Sequence, residues 1–530
     1  MAQSSTPNRA ANAGVTTTPK RPLARAVVAF CLMLGCLTGA HATGNLAALI
    51  QSGDRAAALK EIAAGADVNA AQGDGTTPLI WAVYKVDADL VATLLKHGAK
   101  PNVANKYGSS PLAEAVKIAD SGITKQLLDA GADVESPNAD GQSALMLAAR
   151  SGALEVAKEL VAHGANVNAK EAWRGQTALM WAVDANQAEI AQLLIAKGAD
   201  VNVRALANDW DAQITSEPRG QYRPTGGLTA LLYAARSGCS RCVRSILEAG
   251  ADIDRPNPDG ITPLMIAIDN FHYDTARLLL DSGANPHVSD WYGRTALYIA
   301  ADMSSFSFRL GAAPPAPSET TALDVIKRLL DAGANPNPQL NMHRPGRGGN
   351  SGRFVDDLLT TGVTPLLRAA MGHDVEAVRA LLAHGALVDL PNVMGVTPLM
   401  GAAGVGVSGR DRRVGLDGDI QTRVIATLDV LIAAGADVNA RITDIDSRTA
   451  RIARISTMTE RNGQTALFGA VKFGWTRVVE YLLAHGAKPD VADALGKTPL
   501  NAALGQTGGR DNTVSLEIAD MLRAATKSGG

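Results

Sequence analysis

The chain has 530 residues, 46% of them hydrophobic and 19% charged, with 50 Lys+Arg against 52 Asp+Glu and a formal net charge of −2. That length exceeds one ordinary domain, and the near-neutral balance excludes a global electrostatic drive toward nucleic acid or acidic membranes. Aromatic residues make up only 4% while glycine numbers 52, which favours many small residues and many turns over one large aromatic core.

The N-terminus is polar and carries Arg9, Lys20, Arg21 and Arg25; the apolar run Ala26–Leu37 follows, then Ala40-His41-Ala42. This is the order of a secretory signal peptide over residues 1–42, cut after Ala42. The run is too short for a comfortable membrane span. The expectation is a periplasmic or secreted protein with no membrane insertion after signal removal. Cys36 offers a second reading, a lipid-modified cysteine, which Met33 and Leu34 fit poorly; an uncleaved anchor is a third. Removing the leader removes Cys31 and Cys36 and leaves Cys239 and Cys242, too few for a disulfide scaffold in a chain this long.

Beyond the leader one pattern recurs. "GTTPLIWAVYKVDADLVATLLKHGAKPN" starts at Gly75, and "GQSALMLAARSGALEVAKELVAHGANVN" at Gly141. The unit returns at Gly108, Gly175, Gly227, Gly260, Gly293, Gly362, Gly395, Gly463 and Gly496, and Gly75 to Gly108, Gly227 to Gly260 and Gly463 to Gly496 are steps of 33 residues. Within a unit, Thr or Ser followed by Pro or Ala opens a short helix, because the hydroxyl caps free N–H groups and proline at the first position wastes no donor. A second helix ends in glycine as a left-handed cap, and an extended arm turns back to the next unit. One unit cannot bury its own apolar faces; stacked neighbours can.

The spacings divide the chain into an N-terminal capping repeat (43–74), repeats (75–202), an insertion (203–226), repeats (227–302), a repeat with two insertions (303–361), repeats (362–403), a second repeat with two insertions (404–462), and a final repeat with a C-terminal cap (463–530). Insertions in such arrays map to loops, often on the binding face. In the insertion running from Arg441 to Asn462, Arg448, Arg451 and Arg454 recur every third residue, on one side of a helix if one forms. They would grip an acidic patch or a phosphate; a solvated charged face is the plainer reading.

The period and the T-P-L start resemble the ankyrin repeat. The resemblance implies an all-α solenoid of about twelve helix-turn-helix units with β-hairpin-like arms. It also implies that the arm tips and first-helix ends line a groove that binds proteins. The histidine that the family places after T-P-L is replaced by residues such as Ile80, Met146, Met180, Met265, Tyr298, Leu367, Met400 and Phe468, so apolar packing is expected where the family has a polar bond.

Candidate binding residues follow from the groove. Tyr107, Trp173, Trp291 and Tyr292 fall at arm tips, and Tyr84 and Phe473 follow a first helix; exposed rings on a rigid scaffold are good anchors. Trp81 and Trp181 read as packing between units. His97, His163, His384 and His485 precede the glycine that ends a second helix and read as caps, since a helix C-terminus favours a donor or cation. The turn aspartates Asp67, Asp133, Asp200, Asp252 and Asp437 read as braces, since repetition argues for architecture. No metal, cofactor or catalytic constellation is expected, and the reading is a non-enzymatic, monomeric scaffold for a protein partner.

Cys239 and Cys242 form a C-x-x-C at the start of a second helix, in register with Ala153 and Val156. Three readings stand: inert packed thiols, a local disulfide, and a dithiol that exchanges disulfides with a periplasmic oxidoreductase.

Overall fold

The computed structural model describes residues 45–135, 137–138, 141–208, 225–310, 318–341, 361–405, 419–443, 462–506 and 514–528. The leader read over residues 1–42 lies outside them, as do Arg448, Arg451 and Arg454.

Among the described residues, 24 helices fall into consecutive pairs. In chain order they are α1 (Leu46–Ser52) and α2 (Arg55–Ala63), α3 (Pro78–Tyr84) and α4 (Ala88–Lys96), α5 (Pro111–Lys117) and α6 (Ser121–Asp129), α7 (Ala144–Ser151) and α8 (Leu154–Ala162), α9 (Ala178–Asp184) and α10 (Ala188–Ala196). Then come α11 (Ala230–Ser237) and α12 (Ser240–Glu248), α13 (Pro263–Asp269) and α14 (Tyr273–Asp281), α15 (Ala296–Leu310) and α16 (Ala322–Asp331), α17 (Pro365–Met371) and α18 (Val375–Ala383). The last are α19 (Pro398–Ala402) and α20 (Ile420–Ala433), α21 (Ala466–Lys472) and α22 (Thr476–Ala484), α23 (Pro499–Ala503) and α24 (Leu516–Ser528).

The first helix of a pair starts as its sequence dictates. Thr77, Thr262 and Thr364 accept from the backbone N–H three residues on, at 3.3, 3.3 and 3.1 Å, each with proline next in line. Its residues are buried nearly all round: α13 buries Pro263, Leu264, Met265, Ala267 and Ile268. The second helix buries one stripe, Leu90, Val91 and Leu94 in α4, and often starts on an aspartate, as Asp87 accepts from Leu90 N at 3.0 Å. First helices pack on first helices, and second on second, along the array. The result is a two-layer solenoid with one apolar cluster running from Leu46 to Leu522. Met146, Met265, Leu367 and Met400 lie inside it, the apolar packing expected where the family's histidine is missing.

A polar ladder joins the turns. Asn69 donates from Nδ2 to Gly98 O at 3.0 Å and accepts at Oδ1 from Lys100 N at 2.8 Å. Asn102 does the same with Gly131 and Asp133, Asn168 with Gly198 and Asp200, and Asn439 with Gly486 and Lys488. Each amide thus satisfies a carbonyl left open at the neighbouring helix end. The turn aspartates act within their own unit: Asp67 accepts from Asn69 N at 2.9 Å and Asp437 from Asn439 N at 2.9 Å.

The arms are mostly turns. One antiparallel pair, β1 (Ala207–Asn208) with β2 (Thr225–Gly226), closes the base of the insertion after residue 203. Two elements enter stretches read as insertion: α15 runs on to Leu310, with Met303 fully buried, and α20 begins at Ile420.

Asn168→Ala removes both ladder bonds and is expected to lower stability by about 1–2 kcal/mol in denaturant unfolding; Asn168→Asp keeps the acceptor and should lose less.

Candidate interaction surface

The surface formed by the first helices is open in the early units. Tyr84 is 56% exposed and meets Trp81 edge-on, ring centroids 5.6 Å apart. Trp81 is half-buried and its Nε1 donates to Gln72 Oε1 at 2.9 Å. Lys85, Lys117 and Arg150, at or just past the ends of α3, α5 and α7, are exposed. The Arg150 guanidinium lies over the half-buried Trp181 ring, 5.4 Å from its centroid. One unit further, Arg236 covers the Tyr233 ring at 4.8 Å and binds Asp184 at 2.7 Å. The face therefore alternates rings with cations that stack on them or stand free in solvent.

Among the described residues the most exposed rings, Trp173 at 81% and Tyr107 at 74%, are at tips, as is Trp291 at 53%. The turn chemistry explains Trp173: the buried Glu171 carboxylate accepts from Trp173 N, Arg174 N and Gln176 N at 2.6, 2.8 and 3.0 Å. With the backbone wrapped around one carboxylate, the indole is left pointing outward. Asn105 acts likewise below Tyr107, accepting from Tyr107 N and Ser109 N at 3.0 and 2.9 Å.

Two expected anchors are packed instead. Tyr292 is only 6% exposed. The following arm crosses it, Asn341 N donating to Tyr292 O at 2.9 Å, and Arg294 covers its ring at 5.8 Å. Phe473 is half-buried, stacked on Trp475 at 4.7 Å with planes 17° apart, and its ring fills the space a side chain at Gly404 would need. Trp291 remains available; Tyr292 and Phe473 hold neighbouring units together.

Further along, the same face is closed. Arg368 of α17 binds Asp302 of α15 through Nε at 2.6 Å, with side chains 3% and 2% exposed. Arg294 and Asp290 form a second buried pair at 2.6 Å. Beyond them the helices approach so closely that a methyl group on Gly469 would sit 2.5 Å from Ala403 O, and one on Gly401 would sit 2.7 Å from Leu367. The unit register shows what marks the first pair: Arg368 stands where other units carry Trp81 or Ile266, and Asp302 where they carry Tyr84 or Arg150. A charge in a ring position was the available signal.

The four histidines are caps. The Nδ1 atoms of His97, His163, His384 and His485 each bond the carbonyl four residues back, at 2.8–2.9 Å. His163 adds a bond from Nε2 to Asp129 at 3.0 Å, which with the Glu159 carbonyl raises the imidazole above its ordinary 6.5. Cys239 and Cys242 are joined as a disulfide, with Cα atoms 5.2 Å apart and exposures of 2% and 0%. Cys239 Sγ accepts from Cys242 N at 3.2 Å, the place Asp87 fills in α4. Among the described residues no cluster of three or more His, Cys, Asp or Glu is set to hold a metal, and no helix is long and apolar enough to cross a membrane.

Asp302→Ala is expected to destabilise by about 3–5 kcal/mol, because it strands a buried cation; adding Arg368→Met should recover much of that loss in denaturant unfolding. The His163 increment has a defined sign. With the folded pKa raised, the stabilisation is present below 6.5 and is lost as pH climbs through the raised value. NMR titration should place His163 above the ordinary 6.5, and Asp129→Asn should bring it back down.

The family models agree with this geometry. A family model described as ankyrin repeats (3 copies) matches residues 45–138, 115–205, 208–290, 231–340 and 426–524, and one for a single ankyrin repeat matches 361–393. The chain is similar to a probable E3 ubiquitin-protein ligase XBOS32 of Oryza sativa, 31% identical over 193 residues, covering 35% of this chain and 38% of that one. It is similar to a B-cell lymphoma 3 protein homolog of Mus musculus, 41% identical over 76 residues, covering 14% and 17%. A putative ankyrin repeat-containing protein of Treponema pallidum is 33% identical over 96 residues, covering 18% and 32%. In each case the chain spans well under half of the relative. The solved ankyrin repeat domain of Bcl-3 aligns at 24% identity with a TM-score of 0.36, over 43% of this chain and 94% of that one.

Proposed function

The chain belongs to the ankyrin repeat family, and from that premise we propose that it is a non-enzymatic scaffold that holds a protein partner against its open first-helix face and arm tips. The observation that carries this reading is the set of exposed rings Tyr84, Tyr107, Trp173 and Trp291 on a framework of repeated units. Large, rigid rings lose little side-chain freedom on binding and bury much area. The repeated polar groups, the capping histidines and the bracing aspartates, are occupied by the framework and leave no unique chemical constellation among the described residues.

The same proposal places the scaffold in the periplasm or outside the cell, on the strength of the Ala26–Leu37 run and the small residues that follow it. Cys239 and Cys242 fit as a staple that starts α12. Buried at 2% and 0%, their sulfurs offer little access to an attacking thiolate, which argues against the exchange role.

The test is crosslinking of the exported chain in cells. The wild type should capture a defined partner. A variant with Tyr84→Ser, Tyr107→Ser, Trp173→Ser and Trp291→Ser should capture about tenfold less at unchanged circular dichroism. Equal capture by the two proteins would remove the rings from the binding surface.

A further inference from the structure

The open part of the first-helix face has a sign. Lys85, Lys117 and Arg150 stand at or just past the ends of three successive first helices, α3, α5 and α7, and all three are exposed. Lys85 and Arg150 have no ion-pair partner among the described residues, and Lys117 reaches only Glu114 of its own helix, at 3.7 Å. The carboxylates nearest in register further along the row are already engaged: Asp184 by Arg236 and Asp269 by Arg294. Beside the cations runs a row of half-buried side chains, Trp81, Glu114, Leu147 and Trp181, apolar except at Glu114, which is paired with Lys117.

Resting on the binding role proposed above, we infer that the occupant of this face is an extended acidic peptide segment of a partner protein, crossing α3, α5 and α7 with a carboxylate at about every third residue. The spacing follows from geometry. Packed helices stand roughly 8–10 Å apart, and a chain in the extended polyproline-II form advances about 3.1 Å per residue with three residues per turn, so one face of it meets consecutive cations about three residues apart. Apolar side chains between the carboxylates fall on Trp81 of α3 and Leu147 of α7. The stretch around Arg368 is closed, so the face that admits the segment belongs to the early units.

The experiment is selection of random 16-residue peptides displayed on phage against the full exported chain, in parallel with a Lys85→Glu/Lys117→Glu/Arg150→Glu variant of the same unfolding midpoint. The wild type should enrich peptides carrying Asp or Glu at a three-residue spacing with apolar residues between. Fluorescence anisotropy of a selected peptide should show about tenfold weaker binding to the triple variant, as expected for three rim charges, and the variant should itself enrich basic peptides. If the triple variant unfolds early, Lys117→Gln and Arg150→Gln singly, read as a shallower salt dependence, replace it. Enriched peptides without acidic bias, no enrichment at all, or unchanged binding by the charge variants would overturn this inference. Crosslinking of a partner through the rings would still stand in that case, so the two readings fail separately.

Discussion

The structure depends on one bond pair repeated along the array: an asparagine amide that gives its N–H to the carbonyl of the glycine just past the neighbouring helix and takes an N–H two residues further on. A unit of two short helices is too small to bury both its faces. It needs a neighbour at a fixed distance, and apolar contact alone tolerates sliding. The amide, short and planar, meets both groups only in one register. Where an acid replaces it, as Asp254 and Asp389 do, only the accepting half survives, to Asn285 N and Asp437 N.

Most of this was legible in the sequence because it is local. Thr77 and Thr262 announce helix starts, Gly98 and Gly283 announce helix ends, and the same offsets return in every unit, so each reading was checked by its neighbours. The ladder was not legible: the sequence pointed to the turn aspartates, and the bonds of Asn69, Asn102 and Asn168 between units exist only in the stacked geometry. The site was less legible. Tyr107, Trp173 and Tyr292 look alike in sequence, each beside a turn glycine, but whether a tip ring is free depends on where the next arm passes. Asn341, 49 residues along the chain from Tyr292, decides that. The pairing of Asp302 with Arg368 is likewise a fact of three dimensions, since long insertions separate the two in sequence.

The two halves of the face differ in kind. In the early units the first helices present rings and cations to solvent, and turn chemistry at Glu171 and Asn105 keeps the tip rings outward. Further along, buried ion pairs and glycines draw the helices together and leave little for a partner to hold. Identical backbone units thus present an open face in one place and a closed, cohesive one in another, and the difference lies in a few side chains at fixed positions of the unit.

The buried Asp302–Arg368 pair also bears on how the array assembles. In a one-dimensional stack each unit senses only its neighbours, and cooperativity is as strong as the weakest junction. The long insertion between these two units is where continuity would otherwise be poorest, because the junction must be rebuilt after a detour of chain. When the junction opens both charges regain water, so the pair adds little net strength. What it does is forbid mismatched closure: any docking of α17 on α15 that parts Arg368 from Asp302 strands a charge away from water, so the detour can end in only one register.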